Sequence, residues 1–117
     1  MSIIAEWKIK GNSNRQYTFD VYSKDGKLPS YSGVYILSKR TQNDDGSGSH
    51  DILYIGTAKS ISGRVKNTHE KWETAIRKGM NAISVYPANH EIRNVIEDDL
   101  IDKFNPPLNK IDENPFT

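Results

Sequence analysis

Apolar and polar residues alternate in two segments near the start of the chain. Residues 3–9 alternate around Trp7, and residues 17–22 alternate in the same way, which is typical of half-buried strands. The segment 11–14 between them reads Gly-Asn-Ser-Asn, a composition that favours a turn. We therefore predict a β-hairpin, followed by a loop at 25–29.

Two short apolar runs follow, Gly33–Leu37 and Ile52–Ile55, and each predicts a strand. The segment 40–50 between them is rich in Asp, Gly and Ser and has no apolar anchor. We expect it to be a flexible loop that joins an antiparallel pair. The apolar segment Ala82–Tyr86 predicts one more strand.

Elsewhere the apolar spacing is that of helices. It predicts two short helices, at 61–65 and at 72–79, the second ended by its final glycine. A longer helix begins at Asn89 or His90 and is ended by the Asn-Pro-Pro of 105–107. Its predicted apolar stripe consists of Ile92, Val95, Ile96, Leu100, Ile101 and Phe104.

Composition limits the classes of protein to which the chain can belong. Its 117 residues, 35% of them hydrophobic and 26% charged, suit one domain with a modest core. Cysteine is absent, which excludes disulfides, thiolate metal ligands and a cysteine nucleophile. We expect no signal peptide at 1–11 and no membrane span, because no apolar run approaches about 20 residues. The expected location is therefore the cytoplasm.

The net charge of +1 excludes a protein that holds nucleic acid by bulk positive charge. The charge is nevertheless unevenly distributed. Residues 59–78 include six basic and two acidic side chains, whereas residues 91–113 include three basic and seven acidic ones. Two interpretations stay open: two solvated helices of opposite sign, or a basic surface for phosphates beside an acidic element for a metal.

Two tyrosines stand beside glycines in the predicted strands, in Gly33-Val34-Tyr35 and in Tyr54-Ile55-Gly56. Strand tyrosines ordinarily pack and form hydrogen bonds through their hydroxyls. Arg64 follows Tyr54 by ten positions. An arginine on a helix is usually solvated, but a guanidinium is also the best single group for binding phosphate.

Three consecutive acids lie in the long helix. Glu97 and Asp99 fall on opposite flanks of the apolar stripe, and Asp98 points away from it. A carboxylate on either flank needs a partner, a proton or a cation, and the helical wheel does not choose between them. Asn109, after Pro-Pro-Leu, is by itself an ordinary turn residue.

In this order, these residues resemble the GIY-YIG nuclease superfamily. The resemblance covers most of the chain, and it implies an α/β fold with a small, mostly antiparallel central sheet flanked by helices. It divides a single domain at 1–117 into an N-terminal hairpin extension (1–31), a nuclease-like core (32–109) and a tail (110–117). The motifs are Gly33-Val34-Tyr35, Tyr54-Ile55-Gly56, Arg64, Glu97-Asp98-Asp99-Leu100-Ile101 and Pro106-Pro107-Leu108-Asn109. The hairpin and Lys71-Trp72 are similar to small stand-alone bacterial members.

The resemblance implies a DNA endonuclease that hydrolyses phosphodiesters with one divalent cation, Mg²⁺, which Mn²⁺ is able to replace. Glu97 matches the family's metal ligand, and Arg64 matches the arginine that stabilises charge on the phosphate. Tyr35 and Tyr54 match the tyrosines that orient or deprotonate the attacking water. Asn109 matches a residue that supports the site through hydrogen bonds.

The chain departs from the family pattern in three places. Thr57 and Lys59 stand where some members place a lysine soon after Tyr-Ile-Gly, and Lys59 is either a phosphate contact or an ordinary exposed lysine. The loop at 40–50 lengthens the interval between the tyrosines, either as a harmless insertion or as a flap that contacts DNA. Thr68 stands where members often place His or Tyr, and His69 follows it. His69 is therefore either a further catalytic residue or a surface histidine.

The expected partner is DNA, with RNA as an alternative and a homodimer as the means of cutting both strands. The predicted nucleic-acid contacts are Lys59, Lys66 and Lys71. Two other functions stay open: a non-cleaving or partner-dependent nucleic-acid-binding module of the same fold, and a protein-interaction domain that recruits a partner through the hairpin edge.

Overall fold

Residues 3–110 are described by the structure, a computed structural model, and they form five strands, three α-helices and a 3₁₀ helix. The strands are β1 (Ile3–Lys10), β2 (Gln16–Ser23), β3 (Gly33–Gln42), β4 (Gly48–Ala58) and β5 (Ala82–Pro87). The helices are α1 (Ile61–Arg64), α2 (Trp72–Arg77) and α3 (Arg93–Phe104), with the 3₁₀ helix at Pro107–Asn109. Most of the tail at 110–117 lies outside the described residues.

One antiparallel sheet contains all five strands, in the order β1-β2-β5-β3-β4. The N-terminal hairpin therefore extends the sheet, and β3 and β4 form the antiparallel pair that their apolar runs predict. β5 lies between the two hairpins and pairs with both β2 and β3. At the start of β3, the carbonyl of Tyr86 lies so close to Gly33 that a Cβ would clash with it.

The helices cover both faces of the sheet, as expected. The protein has one hydrophobic core on each face of the sheet. On one face, the segments of α1 and α2 bury Ile61, Val65 and Ala75. On the other face, α3 buries Ile96 and Leu100. The protein is therefore a mixed α/β structure built around an antiparallel sheet.

The prediction of a flexible loop at 40–50 is wrong, because β3 and β4 continue through this segment to a turn at residues 43–47. Polar groups replace the missing apolar anchor. His50 Nδ1 lies 2.8 Å from Ser38 Oγ. The amide of Asn81 accepts from the backbone N–H of Arg40 (2.7 Å) and donates to its carbonyl (3.0 Å). These bonds extend the hairpin without hydrophobic burial.

The apolar stripe of α3 is narrower than the spacing predicts. Ile92 and Val95 are 47% and 60% exposed, so only part of the predicted stripe faces the core. The helix also begins later, at Arg93, because Asn89 Oδ1 accepts from the backbone N–H groups of Glu91 and Ile92 and forms a turn first.

The sheet curls around α3. Trp7 lies on β1 and His50 lies on β4, at opposite edges of the strand order, yet their rings stack with centroids 3.7 Å apart and planes 7° from parallel. This contact brings the two edges together on the face that α3 covers. None of the helices in residues 3–110 is long and apolar enough to cross a membrane.

Candidate active site

The two tyrosines of the sequence motifs meet across the β3–β4 pair. Tyr35 pairs with Gly56 in the register of the two strands, and its ring lies 6.1 Å from that of Tyr54. A Cβ at position 56 would lie 2.5 Å from the hydroxyl oxygen of Tyr35. Glycine is therefore required at position 56 so that the Tyr35 phenol can cross the strand.

His69 joins this pair from the turn between α1 and α2. It is only 4% exposed, and its Nε2 lies 2.6 Å from the hydroxyl of Tyr35. Its Nδ1 accepts a hydrogen bond from the backbone N–H of Lys71 at 2.9 Å. Burial and the nearby Arg64 charge lower the pKa of His69, which favours the neutral ring.

These bonds assign the tautomer of His69. A neutral imidazole has one N–H donor and one acceptor nitrogen. Because Nδ1 accepts from Lys71, Nε2 carries the proton and donates to the oxygen of Tyr35. The hydroxyl proton of Tyr35 is then left to donate to another acceptor.

The two tyrosines differ in their electrostatics. Burial raises the pKa of Tyr35 well above its usual range. Burial and the charge of Glu70 also raise the pKa of Tyr54, but Arg64 and a hydrogen bond from Tyr35 act in the opposite direction on that pKa. Both phenols therefore favour the protonated form, and Tyr35 is the more deeply buried of the two.

Arg64 is the last residue of α1, a short helix whose N-cap is Ser60. Its Nη2 donates to Oε1 of Glu70 at 2.8 Å, and the two side chains are 38% and 62% exposed. This hydrogen bond raises the pKa of Arg64 and lowers the pKa of Glu70. Because an exposed pair of this kind is weak, Arg64 is free to exchange Glu70 for another anion.

Glu97 is half-buried on α3 and has no hydrogen-bond or ion-pair partner among residues 3–110. Burial, followed by the charge of Asp98, raises its pKa. Its own charge raises the pKa of both Tyr35 and Tyr54, so the carboxylate is coupled to the tyrosine pair. A partnerless, half-buried carboxylate needs a proton or a cation.

Asp99, the alternative on the other flank of α3, is fully engaged elsewhere. Its carboxylate accepts from the backbone N–H of Ser13 (2.7 Å), from Ser13 Oγ (2.8 Å) and from the hydroxyl of Tyr17 (2.8 Å). It also lies so close to Gly11 that a Cβ there would clash with it. Asp99 thus fastens α3 to the β1–β2 turn, and of the two flanking acids Glu97 is the one without a structural role.

Asn109 holds the strand that carries Tyr54. Its Oδ1 accepts from the backbone N–H of Ile55 at 2.7 Å, and its Nδ2 donates to the carbonyl of Ile55 at 2.8 Å. The amide therefore substitutes for a neighbouring strand at the edge of β4. Its contact with the site is indirect, through the backbone between Tyr54 and Gly56.

The three predicted nucleic-acid contacts do not lie together. Lys59 lines the same surface depression as Arg64. Lys66 lines a separate depression with Lys24 and Trp72. Lys71 is half-buried next to His69 and supplies the backbone N–H that fixes the histidine ring.

Glu97 is the residue that would hold a divalent cation. Residues 3–110 contain no cluster of three or more His, Asp or Glu side chains suited to a metal. Mg²⁺ is commonly bound by one or two carboxylates together with waters and substrate phosphates. A single partnerless carboxylate fits this mode and does not fit a metal cage built from protein ligands alone.

Sequence reasoning missed Glu70, Ser32 and Arg93. Glu70 binds Arg64, and the hydroxyl of Ser32 accepts from Nη1 of Arg93 at 2.8 Å. Arg93 also lines the depression that contains Arg64 and Lys59. One signal was available for Arg93, which is a basic residue four positions before Glu97 in a predominantly acidic segment.

No family model, curated protein or solved structure with which the chain was compared matches it.

Proposed function

We propose that the protein is a divalent-metal-dependent endonuclease that hydrolyses DNA phosphodiester bonds at a single site of the GIY-YIG type. One observation carries the proposal. Tyr35, Tyr54 and His69 lie against one another, Arg64 and Glu97 both act electrostatically on the two tyrosines, and Glu97 has no hydrogen-bond or ion-pair partner among residues 3–110. Structural partners account for Tyr35, His69 and Arg64, but not for the carboxylate of Glu97.

Exposure supports Tyr54 as the base. Tyr35 is 1% exposed and its hydroxyl lies 2.6 Å from His69 Nε2, whereas Tyr54 is half-buried. Tyr54 therefore meets an attacking water and takes its proton more readily than Tyr35 does. Tyr35 and His69, whose rings lie 6.1 and 5.5 Å from that of Tyr54, act as positioning residues.

Arg64 would bind the phosphate that is attacked. Its guanidinium forks match two phosphate oxygens, and its exchangeable partner Glu70 holds it at the edge of the site until an anion arrives. As charge grows on the phosphate during attack, the arginine bond strengthens, which is what accelerates the reaction.

Glu97 would hold a divalent cation, with Mg²⁺ expected and Mn²⁺ able to replace it. When bound, such a cation polarises a phosphate oxygen and lowers the pKa of nearby water and phenol groups. The carboxylate gains a partner in return, which relieves the cost of its burial.

DNA is the proposed substrate, and RNA is the alternative. The net charge of +1 leaves little non-specific attraction, so we expect weak, salt-sensitive binding that a second copy of the chain would strengthen. One site per chain nicks a duplex, and a homodimer would cut both strands. We place the activity in the cytoplasm.

The test compares Glu97→Gln with wild-type protein on supercoiled plasmid, in Mg²⁺, in Mn²⁺ and in chelator. We expect the variant to stay folded and to lose metal-dependent nicking by about 100-fold or more. Asp98→Asn is the matched control, because it removes a neighbouring exposed carboxylate and should leave nicking unchanged.

Each other outcome has a defined meaning. Equal nicking by Glu97→Gln and wild type would make the mechanism wrong. Salt-dependent binding without cleavage in any metal would favour a non-cleaving nucleic-acid module of the same fold. Absence of both gel shift and nicking would favour the protein-interaction domain.

A further inference from the structure

Three cations border one depression beside the candidate active site. Arg64, Lys59 and Arg93 line a surface depression of about 400 Å³, and all of the charged residues that line it are basic. The remaining lining includes Ser60 and Gly63, which are small. The chemistry of this surface is that of an anion site with room for a phosphodiester group.

The hydrogen-bond partner of Arg93 is not the one that its position on the helix predicts. It lies four residues before Glu97 on α3, a spacing at which opposite charges on a helix commonly pair. It instead donates from Nη1 to Ser32 Oγ at 2.8 Å. Ser32 in turn donates its own hydroxyl proton to the carbonyl of Ala88 at 2.6 Å, so its oxygen is oriented to accept from the guanidinium.

Helix stability does not explain a cation at this position. Arg93 begins α3, and the first turn of that helix has no acidic residue. Positive charge near a helix N-terminus is disfavoured by the helix dipole. The single Ser32 bond uses one of the five N–H donors that a guanidinium carries, which leaves others to bind an anion in the depression.

We propose that Arg93, positioned by Ser32, binds a DNA phosphate next to the one that Arg64 binds. The inference rests on the proposed function and extends it to substrate positioning. Arg93 and Arg64 border the same depression, and Glu97 follows Arg93 by about one helical turn, roughly 6 Å along α3. Arg93 acts on binding and register, whereas Arg64 acts on the reacting phosphate.

The test measures binding of a short DNA duplex in chelator, across a series of salt concentrations. Arg93→Gln keeps an N–H donor for Ser32 but removes the charge, and Arg93→Lys keeps the charge. For Arg93→Gln we expect several-fold weaker binding and a fall of about 0.9 in the slope of log affinity against log salt. Arg93→Lys should keep the wild-type slope.

Arg15→Gln is the matched control. It removes the same charge from an exposed arginine that lies beside Asp98, Asp99 and Asp102 in a different depression, and it should leave the slope unchanged. An unchanged slope in Arg93→Gln, or an equal fall in Arg15→Gln, would overturn the assignment. Failure of wild-type protein to bind the duplex would also overturn it.

This experiment is separable from the test of nuclease activity, because it is performed without metal and without cleavage. Binding that depends on Arg93 in a protein that does not nick plasmid would uphold the phosphate site and refute the endonuclease. If the protein nicks plasmid but its DNA binding does not change in Arg93→Gln, the endonuclease is upheld and the Arg93 phosphate site is refuted. Ser32→Ala adds a graded test and should weaken binding less than Arg93→Gln does.

Discussion

The two flanks of α3 carry carboxylates that are two residues apart and differ in their hydrogen bonding. On one flank, Asp99 accepts three hydrogen bonds from Ser13 and Tyr17 and joins the helix to the first hairpin. On the other flank, Glu97 is half-buried without a partner in residues 3–110 and perturbs the pKa of Tyr35 and Tyr54.

The difference separates a carboxylate that stabilises the fold from one that costs stability. A satisfied acid holds two elements together, whereas a desolvated and unpaired acid lowers the free energy of unfolding. A protein retains the second kind where a ligand supplies the missing partner. The comparison therefore motivates the assignment of Glu97 and not Asp99 to the metal.

The largest expected effect comes from paired substitutions of tyrosine. Tyr54→Phe removes the proposed base, and we expect plasmid nicking to fall by about 100-fold or more with little change in stability. Tyr17→Phe removes a hydroxyl that donates to Asp99, and we expect nicking to be unchanged while unfolding becomes easier by about 1 kcal/mol. Nicking assays and urea denaturation measure the two quantities. Equal loss of nicking in both variants would contradict the division between the two flanks.

The next effect concerns stability. Asp99→Ala leaves the buried hydroxyl of Tyr17 and the N–H of Ser13 without their acceptor, and we expect a loss of about 2 kcal/mol. Glu97→Ala removes an unpaired carboxylate, and we expect no loss or a gain in stability. Urea denaturation at neutral pH measures both. A larger loss in Glu97→Ala would show that Glu97 has a structural partner.

The pH dependence provides the control for this prediction. Burial alone would raise the pKa of Asp99, but its hydrogen bonds from Ser13 and Tyr17 lower it overall. The Asp99 contribution is therefore present above about pH 4 and is lost as the pH falls through the folded pKa. For Glu97 the folded pKa is raised, so the folded state loses stability as the pH rises above about 4. The difference in the free energy of unfolding between wild type and Asp99→Asn should disappear below about pH 4. Any gain in the stability of Glu97→Gln over wild type should appear only above about pH 4.

The sequence predicts the fold better than it predicts the site, because strands and helices depend on local spacing. The apolar alternation of β1 and β2 and the runs in β3, β4 and β5 are local signals, and each led to the observed strand. The hairpin at 40–50 was missed because His50 and Asn81 stabilise it through polar bonds, and Trp7 reaches it from the opposite edge of the sheet.

Within the site, the motif residues can be identified from the sequence, but the residues that contact them cannot. His69 lies 34 positions from Tyr35, and Ser32 lies 61 positions from Arg93. Only the folded chain shows that His69 is buried against Tyr35 and is not at the surface. The choice between Glu97 and Asp99 likewise depends on Ser13 and Tyr17, which lie on a hairpin more than 80 positions away.

The smallest expected effect concerns Glu70, whose contact with Arg64 is an exposed ion pair. Arg64 must leave Glu70 to bind a phosphate, and an exposed ion pair is worth at most about 1 kcal/mol. Glu70→Gln should therefore increase nicking by about fivefold or less, since 1.4 kcal/mol corresponds to about a factor of ten.

Because the Glu70 charge raises the pKa of Tyr54, the variant's activity should also rise at a lower pH than that of wild type. Glu73→Gln is the control, since Glu73 pairs with Arg77 on α2 and not with Arg64. A decrease in nicking by Glu70→Gln alone would mean that Glu70 holds Arg64 in its working position, and the pair would then belong to the catalytic geometry and not to a resting state.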